Sequence, residues 1–125
     1  MILKEEILRY HKLSIGKYGG SHGIRDEGLL ESAIARPYQT FGGDDLYQTA
    51  YEKAAAIMES IIINHPFIDG NKRTGFLAMF AILLKENIKL TANNEDIYSF
   101  TIRVSTGETK FDDIVRWLKQ NSNPL

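Results

Sequence analysis

Apolar residues recur at intervals of three and four along most of the chain, and no segment alternates apolar and polar residues in the manner of a half-buried strand. The pattern predicts six helices, which span residues 4–17, 26–36, 49–64, 70–84, 95–104 and 111–119. The stretch 37–46 contains two glycines and two acids within a short aromatic segment, which is typical of an exposed loop or hairpin. The predicted fold class is therefore all-α, a helical bundle with at most a small hairpin within 38–47.

Several of these helices have recognisable ends. Asp26 is a good N-cap for the second helix, which must end near residue 36 because Pro37 restricts the residue before it. Thr109 and Asp112 are spaced as a capping box at the start of the last helix. The helix that Gly70 and Asn71 open is apolar nearly all round, so we expect it to be the buried central helix.

Composition narrows the classes of function. The 125 residues fit one domain, 1–125, and fifteen basic against sixteen acidic residues leave no positive field that would hold a nucleic acid. The chain has no cysteine, which excludes disulfides and thiolate catalysis. The longest apolar stretch, 76–84, is about half of a bilayer span, and the acidic N-terminus lacks the form of a secretory signal. We expect a cytoplasmic protein with no membrane segment.

The segment 64–75 concentrates reactive side chains between two of the most apolar helices. Gly70 would let the backbone approach a ligand closely, and the four residues after it form the first turn of the next helix. Free backbone N–H groups and the positive end of the helix dipole lie there, where they favour anions. The sequence therefore predicts a phosphate-binding cradle made by Gly70, Asn71, Lys72, Arg73 and Thr74.

Two residues of the same segment suggest chemistry at that cradle. Asp69, an acid at the rim of a cationic pocket, is suited to hold Mg²⁺ that bridges phosphate oxygens. His65 lies on the other side of the turn and is the side chain best suited to take a proton from a hydroxyl near neutral pH. Together these residues indicate phosphoryl or nucleotidyl transfer to a hydroxyl.

Each residue alone has a structural interpretation. A histidine before proline is ordinarily a helix-end residue, and the pair at 69–70 is an ordinary turn. Asn71 is an ordinary N-cap, and Lys72 with Arg73 could be a solvated helix start. Their occurrence together within nine positions favours the functional interpretation.

The segment 65–73, HPFIDGNKR, resembles the HxFx(D/N)(A/G)NKR signature of the death-on-curing (Doc) toxins, a branch of the Fic superfamily. Further segments resemble Doc-like chains in the same order, at 18–20, 23–26, 30–37, 41–43 and, more weakly, 106–108. The resemblance covers nearly the whole chain. It implies a minimal Fic-type domain, a helical bundle around one central helix with a β-hairpin flap.

The resemblance also implies roles for single residues. His65 would be the base that acts on the target hydroxyl and Asp69 the Mg²⁺ ligand, while Asn71, Lys72 and Arg73 would contact the phosphates of ATP. The family's flap, which docks a target segment as an added strand, would lie at Phe41, Gly42, Gly43 and Asp44. A plain surface loop is an equally good interpretation of that stretch.

Two positions distinguish the branches of the superfamily. Fic enzymes that transfer AMP carry a glycine where this chain has Lys72 and an arginine where it has Phe76. The departures favour the Doc branch, which delivers the γ-phosphate of ATP to a threonine of translation elongation factor Tu and so arrests translation. The alternatives are AMP transfer through the same pocket, or a non-catalytic module that binds an anion or nucleotide.

Regulation of a Doc-like toxin would come from outside the chain. The inhibitory motif of self-restrained Fic enzymes is approached only at 91–96, where a helix N-cap is the better interpretation. The resemblance implies an antitoxin that folds on binding to an open groove of the bundle. The remaining histidines, His11 and His22, occur in polar sequence and are expected at the surface.

Overall fold

The structure, a computed structural model, describes residues 1–125 and contains six α-helices with four short strands. The helices are α1 (Lys4–Tyr18), α2 (Glu27–Ala35), α3 (Ala50–Asn64), α4 (Asn71–Lys85), α5 (Asn94–Ser105) and α6 (Phe111–Gln120). The strands are β1 (Thr40–Phe41), β2 (Asp44–Asp45), β3 (Ile88–Leu90) and β4 (Ser122–Pro124), and a 3₁₀ turn, Arg36–Tyr38, follows α2. The all-α fold class is confirmed.

Side-chain caps explain where α2, α3 and α5 begin, and Thr49 caps α3 by accepting from the N–H of Glu52. The Asp26 carboxylate accepts a hydrogen bond from the N–H of Leu29 at 3.0 Å, and Asn93 in the same way caps α5. This confirms both the N-cap predicted for α2 and the N-cap interpretation of 91–96. The capping box predicted for α6 is wrong, because the N-cap residue is Lys110 and no side chain caps that helix.

The antiparallel pair α3 and α4 forms the centre of the molecule. Gly75 permits their close approach, since a Cβ there would lie 2.6 Å from Cγ1 of Ile62 on α3. One cluster of buried apolar residues draws on all six helices, from Ile7 in α1 to Leu118 in α6. The prediction that α4 is the buried central helix is correct only in part: α4 packs against α1, α3, α5 and β3, but α3 packs against α2, α4, α5 and α6 and is buried to a similar extent, so the two helices share the centre.

The strands form two separate antiparallel pairs. β1 and β2 make the hairpin predicted within 38–47, with Thr40 opposite Asp45. The pairing of β3 with β4 was not predicted; it is a second two-stranded sheet but not a hairpin, because α5 and α6 lie between its strands. Three residues per strand are too few for an alternating pattern to be read, and the partner of β3 lies at the far end of the chain. No helix in the structure combines the length and hydropathy that crossing a bilayer requires.

Candidate active site

Two left-handed residues shape the turn between α3 and α4, residues 65–70. His65 ends α3 with φ 50° and ψ 61°, and Gly70 precedes α4 with φ 77° and ψ 17°. Between them Phe67 is only 1% exposed and anchors the turn in the core. Glycine is favoured at position 70 by its positive φ, and a Cβ there would also press on Ile15, whose Cδ1 would lie 3.0 Å away.

The segment before α2 holds the turn by backbone hydrogen bonds. Ile24 and Phe67 form an isolated antiparallel bridge. The carbonyl of Pro66 accepts from the N–H of Arg25 at 2.7 Å and from that of Asp26 at 3.0 Å. The residues before α2 therefore act as a fixed support for the segment that carries the candidate catalytic residues.

His11 supports the turn from the side of α1. Its ring stacks on Phe67 with centroids 3.9 Å apart and an interplanar angle of 8°, and its Nε2 lies 2.8 Å from the carbonyl oxygen of Asp69. The residue is only 5% exposed, so the prediction of a surface position is wrong for His11, while His22 is exposed as predicted. A signal was present in the sequence: Ile7, His11 and Ile15 recur every four residues and share the buried face of α1.

Asp69 presents an ionised carboxylate that the backbone orients. Its Oδ2 accepts from the N–H of Ser21 at 3.2 Å and its Oδ1 from the N–H of Gly70 at 2.9 Å. These two hydrogen bonds hold the pKa of Asp69 below its ordinary value; burial opposes them, and the charges of Arg73 and Lys72 add a smaller lowering effect. The group is therefore a preoriented anion at the rim of the pocket.

The donor set here fits Mg²⁺ rather than a metal held by protein alone. No group of three or more His, Cys, Asp or Glu side chains converges anywhere in the structure. Mg²⁺ in nucleotide sites is held by one or two carboxylates together with phosphate oxygens and waters, and Asp69 supplies one such carboxylate. The residues present therefore fit a Mg²⁺ that arrives with phosphates.

The first turn of α4 offers unpaired donors and unpaired cations. The backbone N–H groups of Asn71, Lys72 and Arg73 engage in no hydrogen bond, and the first intrahelical bond runs from Thr74 N–H to Gly70. Lys72 and Arg73 are exposed and form no ion pair. The helix end thus carries two unpaired cations and the positive end of the helix dipole, with the carboxylate of Asp69 as the acid beside them.

This helix end opens on a cleft of about 690 Å³ between α1, α4 and α5. Tyr18 at the end of α1 forms one edge, and the guanidinium of Arg73 lies over its ring, 4.4 Å from the centroid. Apolar side chains form the rest of the wall, among them Leu13, Phe76, Leu77, Ile97 and Ile102. A polar, cationic end and an apolar body are the arrangement that nucleotide and amphipathic ligands need.

Three residues of the predicted cradle have other roles. The side chain of Asn71 is 7% exposed and is committed to the turn, because its Oδ1 accepts from Phe67 N–H and its Nδ2 donates to Phe67 C=O, both at 3.0 Å. Thr74 is fully buried and does not line the cleft, so its predicted contact with phosphate is wrong. Gly70 lines the cleft, but its N–H donates to Asp69 and is not free for a ligand. Because the Asn71 side chain is occupied by Phe67, only the backbone N–H of Asn71 can contact phosphate.

The structure brings together Asp69, Lys72 and Arg73 around the cleft and leaves His65 apart from its lining. His65 is exposed at the C-terminal end of α3, where its carbonyl accepts a 2.6 Å hydrogen bond from Nε of Arg25. Its role as a base stays a prediction. Sequence reasoning missed Arg25, which lies forty positions away along the chain, and no local pattern links the two residues.

Comparison with known proteins places this site in a family. The model of the Fic/DOC family matches residues 2–83. The chain belongs to the Fic/DOC family. The match extends from two residues before α1 almost to the end of α4, so it includes the hairpin, the turn and the cationic helix end of this Fic/DOC chain. The opposite wall of the cleft comes from α5, outside the matched segment.

Two curated relatives carry Doc names. The chain is 42% identical over 76 residues to the protein named Toxin Doc of Mycolicibacterium smegmatis, an alignment that covers 61% of this chain. The chain spans 58% of the length of that relative. It is 24% identical over 119 residues to the protein named Protein kinase doc of Escherichia phage P1, covering 95% of this chain and 93% of the relative. The predicted resemblance to Doc toxins is confirmed.

The hairpin of this Fic/DOC chain lies where the flap was predicted. All of Phe41, Gly42, Gly43 and Asp44 are exposed, and Phe41 reaches 81% exposure. The base of the hairpin is tied down by Lys53, whose ammonium donates to Asp45 and to the carbonyl of Tyr47. The backbone edges and an unburied aromatic ring are free for a partner, although the docking role itself stays a prediction.

Proposed function

We propose that this chain is a Doc-type toxin that transfers the γ-phosphate of ATP to a hydroxyl of a protein. The main support is the N-terminus of α4, where Lys72 and Arg73 are unpaired and three N–H groups are free beside the oriented carboxylate of Asp69. Such an end binds a polyphosphate by charge and by hydrogen bonds together. The names of the two relatives support the same proposal from outside the chain.

In the proposed step the target hydroxyl oxygen attacks the γ-phosphorus and the bond from that phosphorus to the β–γ bridging oxygen breaks. ADP leaves with the bond's electrons, and the hydroxyl proton passes to the imidazole of His65. Lys72, Arg73 and the free N–H groups would stabilise the charge on the phosphate oxygens. Mg²⁺, when bound with ATP, neutralises further phosphate charge, and Asp69 is the residue that would hold it.

A mass measurement tests this function. The purified chain is incubated with Mg²⁺, ATP and a bacterial lysate or isolated elongation factor Tu, the proposed target. A target that gains about 80 Da has received a phosphoryl group, whereas a gain of about 329 Da means AMP transfer and refutes the kinase proposal. His65→Ala should abolish the product, and His22→Ala, which removes an exposed histidine elsewhere, should leave it intact.

The same variants separate an enzyme from a binding module. If the chain acts only by holding a nucleotide, His65→Ala keeps its effect on growing cells. If it acts by transfer, growth recovers with His65→Ala while ATP binding by Lys72 and Arg73 is retained. ATP binding that yields no modified protein from any lysate would contradict the transferase proposal.

We further propose that an antitoxin segment folds into the cleft as an amphipathic helix. The cleft pairs an apolar wall with the cations Lys17, Lys72 and Arg73, which suits a helix with one apolar face and acidic residues at its end. Leu13, 63% exposed on α1, would lie under such a helix. In co-expression with a candidate antitoxin that the wild-type chain captures, Leu13→Asp should abolish capture, whereas Ile63→Asp, outside the cleft, should not.

A further inference from the structure

Arg25 makes contacts that an ordinary surface arginine does not make. Its Nε donates to the carbonyl oxygen of His65 at 2.6 Å, and one terminal nitrogen donates to the carbonyl oxygen of Asn64 at 2.7 Å. We propose that Arg25 is a positioning residue that fixes the direction of the His65 imidazole through these two carbonyls. The inference rests on the proposed function of His65 as the base.

The backbone of His65 needs such support. A non-glycine residue with φ 50° and ψ 61° lies in the left-handed region, which costs about 1–2 kcal/mol relative to the helical region. Such conformations persist where surrounding contacts over-determine them, and they cluster at functional sites. Because the Cα–Cβ direction follows from the backbone torsions, a relaxed His65 would point its ring elsewhere.

The contacts of Arg25 are the right ones to impose that conformation. The two carbonyls it binds flank the torsions of His65, one at the last residue of α3 and the other on His65 itself. The fork of the guanidinium ties them to a single plane. The backbone of Arg25 is itself held in place, since its N–H donates to the carbonyl of Pro66 at 2.7 Å.

Other roles for this side chain have less support. Arg25 forms no ion pair with any carboxylate and does not line the cleft, so it neither neutralises an acid nor contacts a ligand there. Its charge lies at the C-terminal end of α3, where the helix dipole favours a cation. The favourable dipole and the two hydrogen bonds act together to close α3 at His65.

Loss of this support should reduce turnover and leave nucleotide binding intact. Arg25→Gln removes the charged fork, and a misdirected base lowers kcat by about 10- to 100-fold. KM for ATP should not change, because Lys72 and Arg73 belong to α4, and the turn before that helix is held independently by the side chains of Asn71 and His11. Arg25→Lys can reach only one carbonyl at a time, so its kcat should lie between those of the wild type and Arg25→Gln.

The experiment combines kinetics with NMR of the full chain. The Cα and Cβ chemical shifts of His65 report its backbone torsions without any need for activity. Arg25→Gln should move them away from left-handed values, while Arg9→Gln, which removes an exposed guanidinium from α1, should change neither shifts nor kcat. Wild-type shifts and wild-type kcat in Arg25→Gln would overturn the inference, as would an equal loss in Arg9→Gln.

The two readouts keep this inference distinct from the proposed function. If the wild-type chain transfers no phosphate to any protein, the proposed function fails, and the NMR comparison still decides whether Arg25 fixes His65. If transfer is observed and Arg25→Gln raises KM with kcat unchanged, Arg25 acts on ligand binding and the inference is wrong. A lower kcat together with displaced His65 shifts supports it.

Discussion

Asn71→Ala is the substitution that best separates support of the turn from contact with phosphate. The N–H and the C=O of Phe67 have no hydrogen-bond partner except the Asn71 side chain, and Phe67 is 1% exposed. Orphaning a buried polar group costs about 1–3 kcal/mol. Two such groups, less about 0.5 kcal/mol that alanine gains in a helix, give an expected loss of about 1.5–5.5 kcal/mol of unfolding free energy.

Urea unfolding in the absence of nucleotide measures this loss directly, since the shift of the midpoint at constant slope gives the change in free energy. Asn64→Ala is the matched control. Asn64 lies beside the same turn, but its side chain is exposed and forms no hydrogen bond. That control should stay within about 0.5 kcal/mol of wild type. If Asn71→Ala lowers the free energy of unfolding by less than about 1 kcal/mol without ligand, its structural role is refuted and its side chain is again a candidate for binding phosphate.

The remaining predictions concern neighbouring positions. Thr74→Val should stabilise the protein by about 1 kcal/mol, because the buried hydroxyl has no partner, and should leave ATP affinity unchanged; calorimetry measures both, and lower affinity would contradict us. Gly75→Val should cost about 1–3 kcal/mol in urea unfolding by pressing on Ile62, while Gly16→Ala, with no atom within 4 Å of the new Cβ, should stabilise α1. Because folding lowers the pKa of Asp69, the hydrogen bonds to its ionised carboxylate stabilise the folded state fully at any pH above 3.8, the ordinary pKa. This stabilisation is lost as the pH falls through the lower pKa of the folded state. The stability advantage over Asp69→Asn should therefore vanish only in that acid range, and an unchanged advantage below it would contradict the assignment.

Helix boundaries were predictable because local chemistry decides them. Asp26 caps α2 by a bond to a residue three positions on, and Gly70 adopts the positive φ that glycine alone accepts easily. The β3–β4 pair could not be predicted, since it joins residues more than thirty positions apart through backbone groups that carry no sequence pattern.

The site was predictable as a location and less so as a set of roles. The charges of Lys72 and Arg73 are visible in sequence, and the structure leaves both free. Asn71 and Thr74 flank those two residues and are also polar, but residues three positions apart share one face of a helix, and this face is turned toward the protein. Polarity alone does not distinguish a side chain that satisfies a buried backbone group from one that meets a ligand.

The charge balance of the cleft connects these observations to ligand binding. Lys4 and Arg36 are paired with acids, whereas Lys72 and Arg73, like several other exposed cations of the chain, are not. The single acid beside them, Asp69, is held by backbone donors and so cannot swing across to neutralise them. Two free cations and the helix dipole outweigh one fixed carboxylate, so the N-terminal end of α4 is positive overall. In a polyphosphate bound with Mg²⁺, the phosphates would complement the cations and the metal would complement Asp69. An anion without a metal would satisfy the cations but repel Asp69, which favours a metal-bound nucleotide over simple phosphate at this end of the cleft.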